Sequence, residues 1–374
     1  MRIDTGDTAW VLVSAALVMF MTPGLALFYG GLVRAKNVLG TVMQSLIALG
    51  VVTVLWVLVG YSLAFGSDHG LLTGGLEYLG LRGVGADPTA LAPSVPASSF
   101  MVFQMMFAVI TPALITGAFA ERMRFGGYLL FLGLWSLLVY VPVAHWVWGG
   151  GFLGAAGVGA LDFAGGTVVH VNAGAAALAT ALYLGRRRGF GTGALRPHNV
   201  PMVLLGAGIL WFGWFGFNAG SALSAGELAS GAFVATHLGA AGGMLGWLVP
   251  ERLRHERATT IGAATGAIAG LVAITPASGY VAPLPALAIG LAAGVVCFLA
   301  VELKGRLRLD DSLDVVGAHG VGGVMGALLT GVFATKAWGA PEDGLLAGNA
   351  FLLVKQLVGI LATIVYAGFG SFVV

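Results

Sequence analysis

Charge is scarce in this chain of 374 residues: Asp, Glu, Lys and Arg together make up 9% of it, against roughly 25% in soluble domains. So few polar side chains cannot cover a globule in water, so the chain is expected to be an integral membrane protein. Cysteine is nearly absent. The single Cys297 lies in an apolar run, which excludes an intrachain disulfide and a thiolate metal cluster. A basic leader is missing as well, because Asp4 and Asp7 precede the first apolar run, Trp10 to Gly30. That run is expected to be a retained span rather than a cleaved signal peptide. The net charge of +2, from 18 basic and 16 acidic residues, argues against nucleic acid as a partner. A reactive nucleophile setting and a phosphate-binding loop are also missing, so an enzyme is not expected.

What is present is apolar residues, 58% of the chain, and 61 glycines without a Gly-X-Y period. Glycine within apolar sequence points to helices packed backbone to backbone. Four-residue spacings at Gly262, Gly266 and Gly270, at Gly290 and Gly294, and at Gly322 and Gly326 mark such stripes. About 20 apolar residues cross a bilayer as a helix. Eleven stretches qualify: 9–31, 38–66, 99–121, 125–148, 165–185, 198–219, 227–249, 258–276, 283–303, 315–334 and 349–374. Runs such as Val51 to Val59 do not alternate in polarity, which excludes an outer-membrane barrel.

The basic residues test this count. With the N-terminus outside, the inside loops hold Arg34, Lys36, Arg122, Arg124, Arg186, Arg187, Arg188, Arg196, Arg252, Arg254, Arg257, Lys304, Arg306 and Arg308. Only Arg2, Arg82 and Lys336 fall outside, and Lys355 lies in the last span. Such a bias sets the orientation, with the C-terminus cytoplasmic. The longest outer connection, residues 67–98, is expected to form a short cap over an outer vestibule.

Two ionisable pairs share one spacing. Asp162 precedes His170 by eight residues in DFAGGTVVHVNAG, and Asp311 precedes His319 by eight in DSLDVVGAHGVGG. Both lead into small-residue helices, the fifth and the tenth. If spans 1–5 and 6–10 are repeats, their odd number forces opposite orientations in the membrane. The predicted fold is therefore an all-α polytopic membrane protein of eleven transmembrane helices. It forms a single membrane domain over 1–374, with an inverted five-plus-five repeat (1–196 and 197–348) and a final helix at 349–374. The repeat would bring His170 and His319 together at the centre. Intramembrane histidines usually face an interior. His145 and His237 read as structural, His237 as an interhelical hydrogen bonder and His145 as a support for Trp146 and Trp148. No carboxylate or cysteine stands at ligand spacing from any of them, so no metal is expected. Asp162 reads either as an architectural acid, capped by backbone N–H groups of the AGG that follows, or as an anion that also supports a cation above it.

At these residues the sequence resembles the Amt/Rh ammonium transporter family, in its Amt branch. The resemblance runs along nearly the whole chain in seven ordered motifs: TPGLALFYGGLVRAKN at 22–37, FQMMFA at 103–108, AHWVWGGG at 144–151, DFAGGTVVH at 162–170, WFGWFGFNAGSAL at 211–223, GLVAITPASGYV at 270–281 and DDSLDVVGAHGVGG at 310–323. It implies a homotrimer in the plasma (inner) membrane with one pore per protomer, and no cofactor. By motif, Phe103, Phe107, Trp148 and Ser221 would form an external ammonium site, with Phe107 and Phe217 as a stacked gate. His170 and His319 would be the pore pair, Phe28, Tyr29, Trp214 and Val315 would line or flank the path, and Asp162 would be the supporting acid. Ammonium would be captured, deprotonated and passed as ammonia. The resemblance stops at Val374, near the end of the last helix, where relatives continue into a cytosolic tail that receives PII regulators. A PII partner is therefore not expected for this chain. The same ending motivates an alternative, an ammonium-sensing membrane domain that signals to a cytosolic module.

Overall fold

The structure is a computed structural model and describes residues 2–70, 72–192 and 195–374. Among these residues the chain forms eleven helical segments: α1 Thr5–Leu32, α2 Ala35–Phe65, α3 Ala97–Phe119, α4 Phe125–Trp148, α5 Gly166–Leu184, α6 Val200–Ala222, α7 Glu227–His255, α8 Thr260–Ile274, α9 Pro283–Arg306, α10 Val316–Phe333 and α11 Phe351–Val373. The protein is thus a polytopic all-α membrane protein, as its composition requires.

Helix starts follow local chemistry. Asp4 caps α1 by accepting from the Asp7 amide at 3.0 Å, and Asn199 caps α6 by accepting from Met202 at 3.0 Å. Thr259 caps α8 and is itself held by buried Glu251, which accepts from the Thr259 amide and hydroxyl at 2.9 and 2.7 Å.

The eighth segment departs from the sequence expectation. A span over 258–276 is predicted, but α8 has 15 residues and is too short to cross a bilayer as a helix. The backbone leaves the helix at Thr275 and continues through buried turns to Gly279. Non-helical backbone is tolerated at such depth only where protein satisfies it. Here the Pro276 carbonyl accepts from the Phe163 amide at 3.2 Å, and the Tyr280 carbonyl accepts from Thr335 at 3.0 Å.

Packing relies on missing side chains. A Cβ added to Gly243 of α7 would stand 2.3 Å from the Gly266 carbonyl of α8, and one on Gly294 of α9 would stand 2.3 Å from the Gly243 carbonyl. Three helices therefore touch through their backbones. The same device joins α5 to α10, where a Cβ on Gly174 would meet the Gly320 Cα at 2.2 Å. Helix α1 packs along α6, and α5 meets α10.

The N-terminal face carries the 67–98 connection, where strand β1 Pro88–Thr89 pairs antiparallel with β2 Ala92–Pro96. The Asp4 amide donates to the Ser94 carbonyl at 2.8 Å and ties this cap to α1. On the opposite face, residues from four connections form one ionic cluster. Arg34 lies 3.0 Å from Glu121, Arg187 lies 3.5 Å from Glu121 and 2.8 Å from Asp310, and the Asn37 amide donates to Glu121 at 2.7 Å. Burial works against the Glu121 charge, but hydrogen bonds from Arg34 and Asn37 outweigh it and hold the carboxyl below its ordinary range. Asp310 is held low in the same way, burial being overcome by Arg187 and Arg122.

A carboxyl lowered on folding stabilises fully above its unfolded value of about 4, and that contribution is lost as pH falls through the lower folded value. The thermal midpoint is therefore expected to be level from about pH 7 to pH 5 and to fall below about pH 4. A Glu121→Gln, Asp310→Asn double variant should be less stable at neutral pH and show a flatter acid limb. An unchanged acid limb would remove the cluster from this role.

Candidate functional site

Three helices each turn one stripe inward at helical spacing. Phe103, Phe107, Ile110 and Leu114 follow one another along α3, Met21, Leu25 and Phe28 along α1, and Leu210, Trp214, Phe217 and Ser221 along α6. The stripes line two cavities separated by aromatic rings.

The first is a vestibule of about 230 Å³ at the N-terminal face. Phe103, Phe107, Trp148 and Ser221 all line it, together with Leu91 of the cap. The cap expected over residues 67–98 is thus in place. Phe103 meets Phe107 edge-on at 5.0 Å between centroids, and Phe107 meets Trp148 edge-on at 5.7 Å. Ser221 Oγ donates to the Phe217 carbonyl at 2.8 Å, which leaves the lone pairs of its oxygen free to accept. Gln104 also lines the vestibule, and its buried Oε1 has no partner among the described residues.

The floor of the vestibule is the Phe107–Phe217 pair, with centroids 4.4 Å apart and planes inclined by 40°. Phe107 faces the vestibule and Phe217 faces the second cavity. That second cavity is a tube with only about 10 Å³ of free space. Phe28, Tyr29, Trp214, His170 and His319 line it, among apolar neighbours from α1, α3, α6 and α8.

The two histidines stand on π-helical turns, Gly166–Val171 at the head of α5 and Val316–Val321 at the head of α10. Such turns widen a helix locally and recur at functional sites. His170 Nδ1 lies 3.2 Å from His319 Nδ1, and both rings are buried. One Nδ1 must donate and the other accept. In a neutral pair, this fixes the tautomers: the accepting ring carries its proton on Nε2, and the donating ring has a bare Nε2. The pair therefore offers one donor and one acceptor besides its shared bond. His170 is stacked against Trp214 at 5.5 Å and against Phe217 at 6.0 Å. Trp214 is held in turn by Thr275, whose hydroxyl accepts from its indole N–H at 2.9 Å. The break in α8 supplies this support.

Asp162 is built into the backbone. Its Oδ1 accepts from the amides of Gly165 and Gly166 at 2.8 and 2.7 Å, and its Oδ2 from Thr167 and Val168 at 2.8 and 3.0 Å. Gly165, at φ 115°, supplies the left-handed turn that makes these four N–H groups converge. The carboxylate lines neither cavity. Its link to the vestibule is the Asp162 carbonyl, which accepts from the Trp148 indole N–H at 2.9 Å and fixes that ring. Asp311 stands in the matching place before α10, where its Oδ2 accepts from the Val316 amide at 2.7 Å.

Val315 flanks the path without lining the tube. It is buried beside Tyr29 over Gly117, whose added Cβ would stand 2.6 Å from both side chains. The Tyr29 hydroxyl donates to the Leu114 carbonyl at 2.9 Å. His145 joins α4 to the end of α2, with its ring nitrogens 3.0 Å from the Ala64 carbonyl and 3.1 Å from Asp68. His237 differs from the interhelical hydrogen bonder expected of it: it is exposed and lies 5.4 Å from the Trp211 ring. Gln104 and Thr275, which lie within two of the motifs without a role assigned to them, and the apolar lining are additions. The stripes on α1, α3 and α6 were the available signal for the lining.

A helical bundle that carries an aromatic vestibule at one face and a narrow apolar cavity behind it is of the class of polytopic membrane transport proteins. Residues 9–374 match the profile of the Ammonium Transporter Family, and the chain belongs to that family. It is 52% identical over 400 aligned positions to an ammonium transporter of Mycobacterium tuberculosis, covering 98% of this chain and 83% of that one. Among solved structures, Mep2 of Candida albicans superposes with a TM-score of 0.94 at 38% identity, over 99% of this chain and 83% of the other. A structure described as a sensor Amt protein gives a TM-score of 0.90 at 30% identity, over 98% and 91% of the two chains. The family is one of transporters rather than enzymes.

Proposed function

We propose that the protein captures ammonium in the vestibule, where one proton passes to water or, through that water, to the hydrogen-bonded histidine pair, and conducts ammonia past His170 and His319. The observation that carries this reading is the hydrogen-bonded histidine pair inside an apolar tube closed by two phenylalanine rings.

The energetics favour that route. Moving an unpaired ion into an apolar medium costs tens of kcal/mol. Cation–π contacts with Phe107 and Trp148 return about 0.5–2 kcal/mol each, and acceptance by Ser221 about one more. These hold ammonium at the mouth but do not carry it through. Deprotonation of a cation with a pKa of roughly 9 costs about 3 kcal/mol at neutral pH, at 1.36 kcal/mol per unit. Ammonia, both donor and acceptor, then finds an acceptor on one histidine and a donor on the other. Potassium has no proton to surrender, so the same step supplies selectivity. Asp162 acts from below, as a positioning residue that fixes Trp148 and places negative charge beneath the site.

The remaining assignments form part of the same proposal: residues 1–196 and 197–348 are inverted repeats, and the chain works as a homotrimer in the plasma membrane with the vestibule outside. Inward-facing arginines at the opposite face and the α1–α6 and α5–α10 pairings support it.

Proteoliposomes test the transport reading. An inward ammonium gradient should alkalinise the lumen or drive current at transporter rates, with no response to potassium, and Trp148→Leu should raise the half-saturating concentration by about 2- to 30-fold. Tight ammonium binding without flux would instead favour the sensing alternative, for which the likeness to a sensor Amt structure speaks.

A further inference from the structure

We propose that a basic cavity at the face opposite the vestibule binds a soluble polyphosphate anion, recognised through its phosphate groups. The cavity has a volume of about 360 Å³, within the range of small-ligand sites. Arg34, Lys36, Arg122, Arg186, Arg187 and Arg188 line it, six of the 18 basic residues of the chain. They come from the three connections that follow α1, α3 and α5. Lys36, Arg186 and Arg188 are exposed, so the cavity is open to water at the end of the bundle rather than to the hydrocarbon along its flank.

The charges of this cavity do not balance among themselves. Two carboxylates serve the six cations: Glu121 is taken by Arg34 at 3.0 Å and Arg187 at 3.5 Å, and Asp310 by Arg187 at 2.8 Å and Arg122 at 4.0 Å. Lys36, Arg186 and Arg188 enter no ion pair among the described residues, so the cluster keeps an excess of four positive charges. Arg122 adds an unfilled hydrogen bond. Its side chain is 7% exposed, and its terminal nitrogens donate to the carbonyls of Ala118, Gly185 and Asp310. Its Nε, however, is buried with no partner among the described residues. Buried donors are normally satisfied. Arg122 borders the cavity, so an oxygen bound there supplies the missing acceptor.

Chemistry selects the occupant. Guanidinium groups pair with phosphate oxygens in a bidentate fork, and a concave basic cluster concentrates multivalent anions. A singly charged anion would leave most of the excess unmatched, whereas a di- or triphosphate matches it. Leu184 is the one apolar residue of the lining, and no aromatic ring among the described lining residues offers a face to a nucleobase. The phosphate chain itself is therefore what the cavity reads. Occupancy also has a structural consequence, because Arg122 joins the end of α3 to the Asp310 carbonyl and to Ser312, whose segment leads into the π-helical turn that carries His319. A bound anion would tighten the bundle at the end of the path away from the vestibule. That consequence rests on the transport reading, but the binding itself does not.

The experiment titrates the full chain in detergent with pyrophosphate, sulfate and chloride at constant ionic strength, read by calorimetry and by thermal unfolding. One pyrophosphate per chain should bind, roughly tenfold more tightly than sulfate, and raise the thermal midpoint. Lys36→Gln, Arg186→Gln and Arg188→Gln combined should weaken pyrophosphate by roughly tenfold or more. These side chains are exposed and unpaired among the described residues, so the triple variant should fold even if Arg122→Lys, which deletes the Nε donor and should also weaken binding, does not. Arg252→Gln with Arg254→Gln, at the exposed end of α7 and outside the cavity, should leave the affinity unchanged. Equal affinity for pyrophosphate and sulfate would overturn the proposal, as would equal losses in the two sets of variants. Displacement of pyrophosphate by a hexaglutamate peptide at lower concentration would assign the cavity to an acidic protein segment, and displacement by phosphatidylglycerol would assign it to a membrane headgroup; either would likewise overturn it.

Discussion

Asp162→Ala is expected to yield little or no folded protein. The four amides of Gly165, Gly166, Thr167 and Val168 all end on this one carboxylate in the interior. Each buried donor left unpaired costs about 1–3 kcal/mol, so the loss is at least about 4 kcal/mol against a total stability of about 5–15 kcal/mol. Size-exclusion profile and thermal midpoint read the outcome. Asp162→Asn separates architecture from charge, because its amide oxygen still accepts from part of the set. If the Asn variant folds yet fails to transport, the negative charge itself is required beneath the vestibule. An Asp162→Ala protein with the wild-type midpoint would show that the carboxylate does not organise the head of α5.

The second large effect concerns the pore. His170→Ala should leave ammonium-driven current but lose discrimination against potassium, because the ring that fills the tube between Trp214 and His319 is gone and water can enter. His319 Nδ1 would also lose its partner at 3.2 Å. The double variant His170→Ala, His319→Ala should have neither the donor nor the acceptor that ammonia meets along the path. Paired flux and current measurements under opposed ammonium and potassium gradients check this. Wild-type selectivity and rate in the double variant would sink the deprotonation route altogether.

Much of this site is legible from residue order. The equal spacing from Asp162 to His170 and from Asp311 to His319 already suggests that two histidines meet, and they do. Phe107, Phe217, Trp148 and Ser221 carry no spacing that says gate or vestibule. They are visible through the resemblance, and the cavity wall shared by Phe107, Trp148 and Ser221 appears only when α3, α4 and α6 are packed. Gln104, Thr275 and Leu91 illustrate what stays hidden. Gln104 sits beside Phe103 on α3 and shows its role only in the folded vestibule, whereas Thr275 and Leu91 are brought to the site from other elements.

Hydropathy, glycine content and the placement of basic residues determined by themselves that the chain is a membrane-spanning helical bundle, because bilayer thickness and backbone desolvation leave an apolar chain few alternatives. Local sequence also set several helix starts, since caps such as Asp4 and Asn199 act within a few residues. Only the tertiary structure decided that the eighth helix stops after 15 residues and that the tube is shut by one ring from each of two helices. Those outcomes depend on contacts between segments distant in the chain, where a carbonyl, ring or hydroxyl finds a partner that no local pattern encodes.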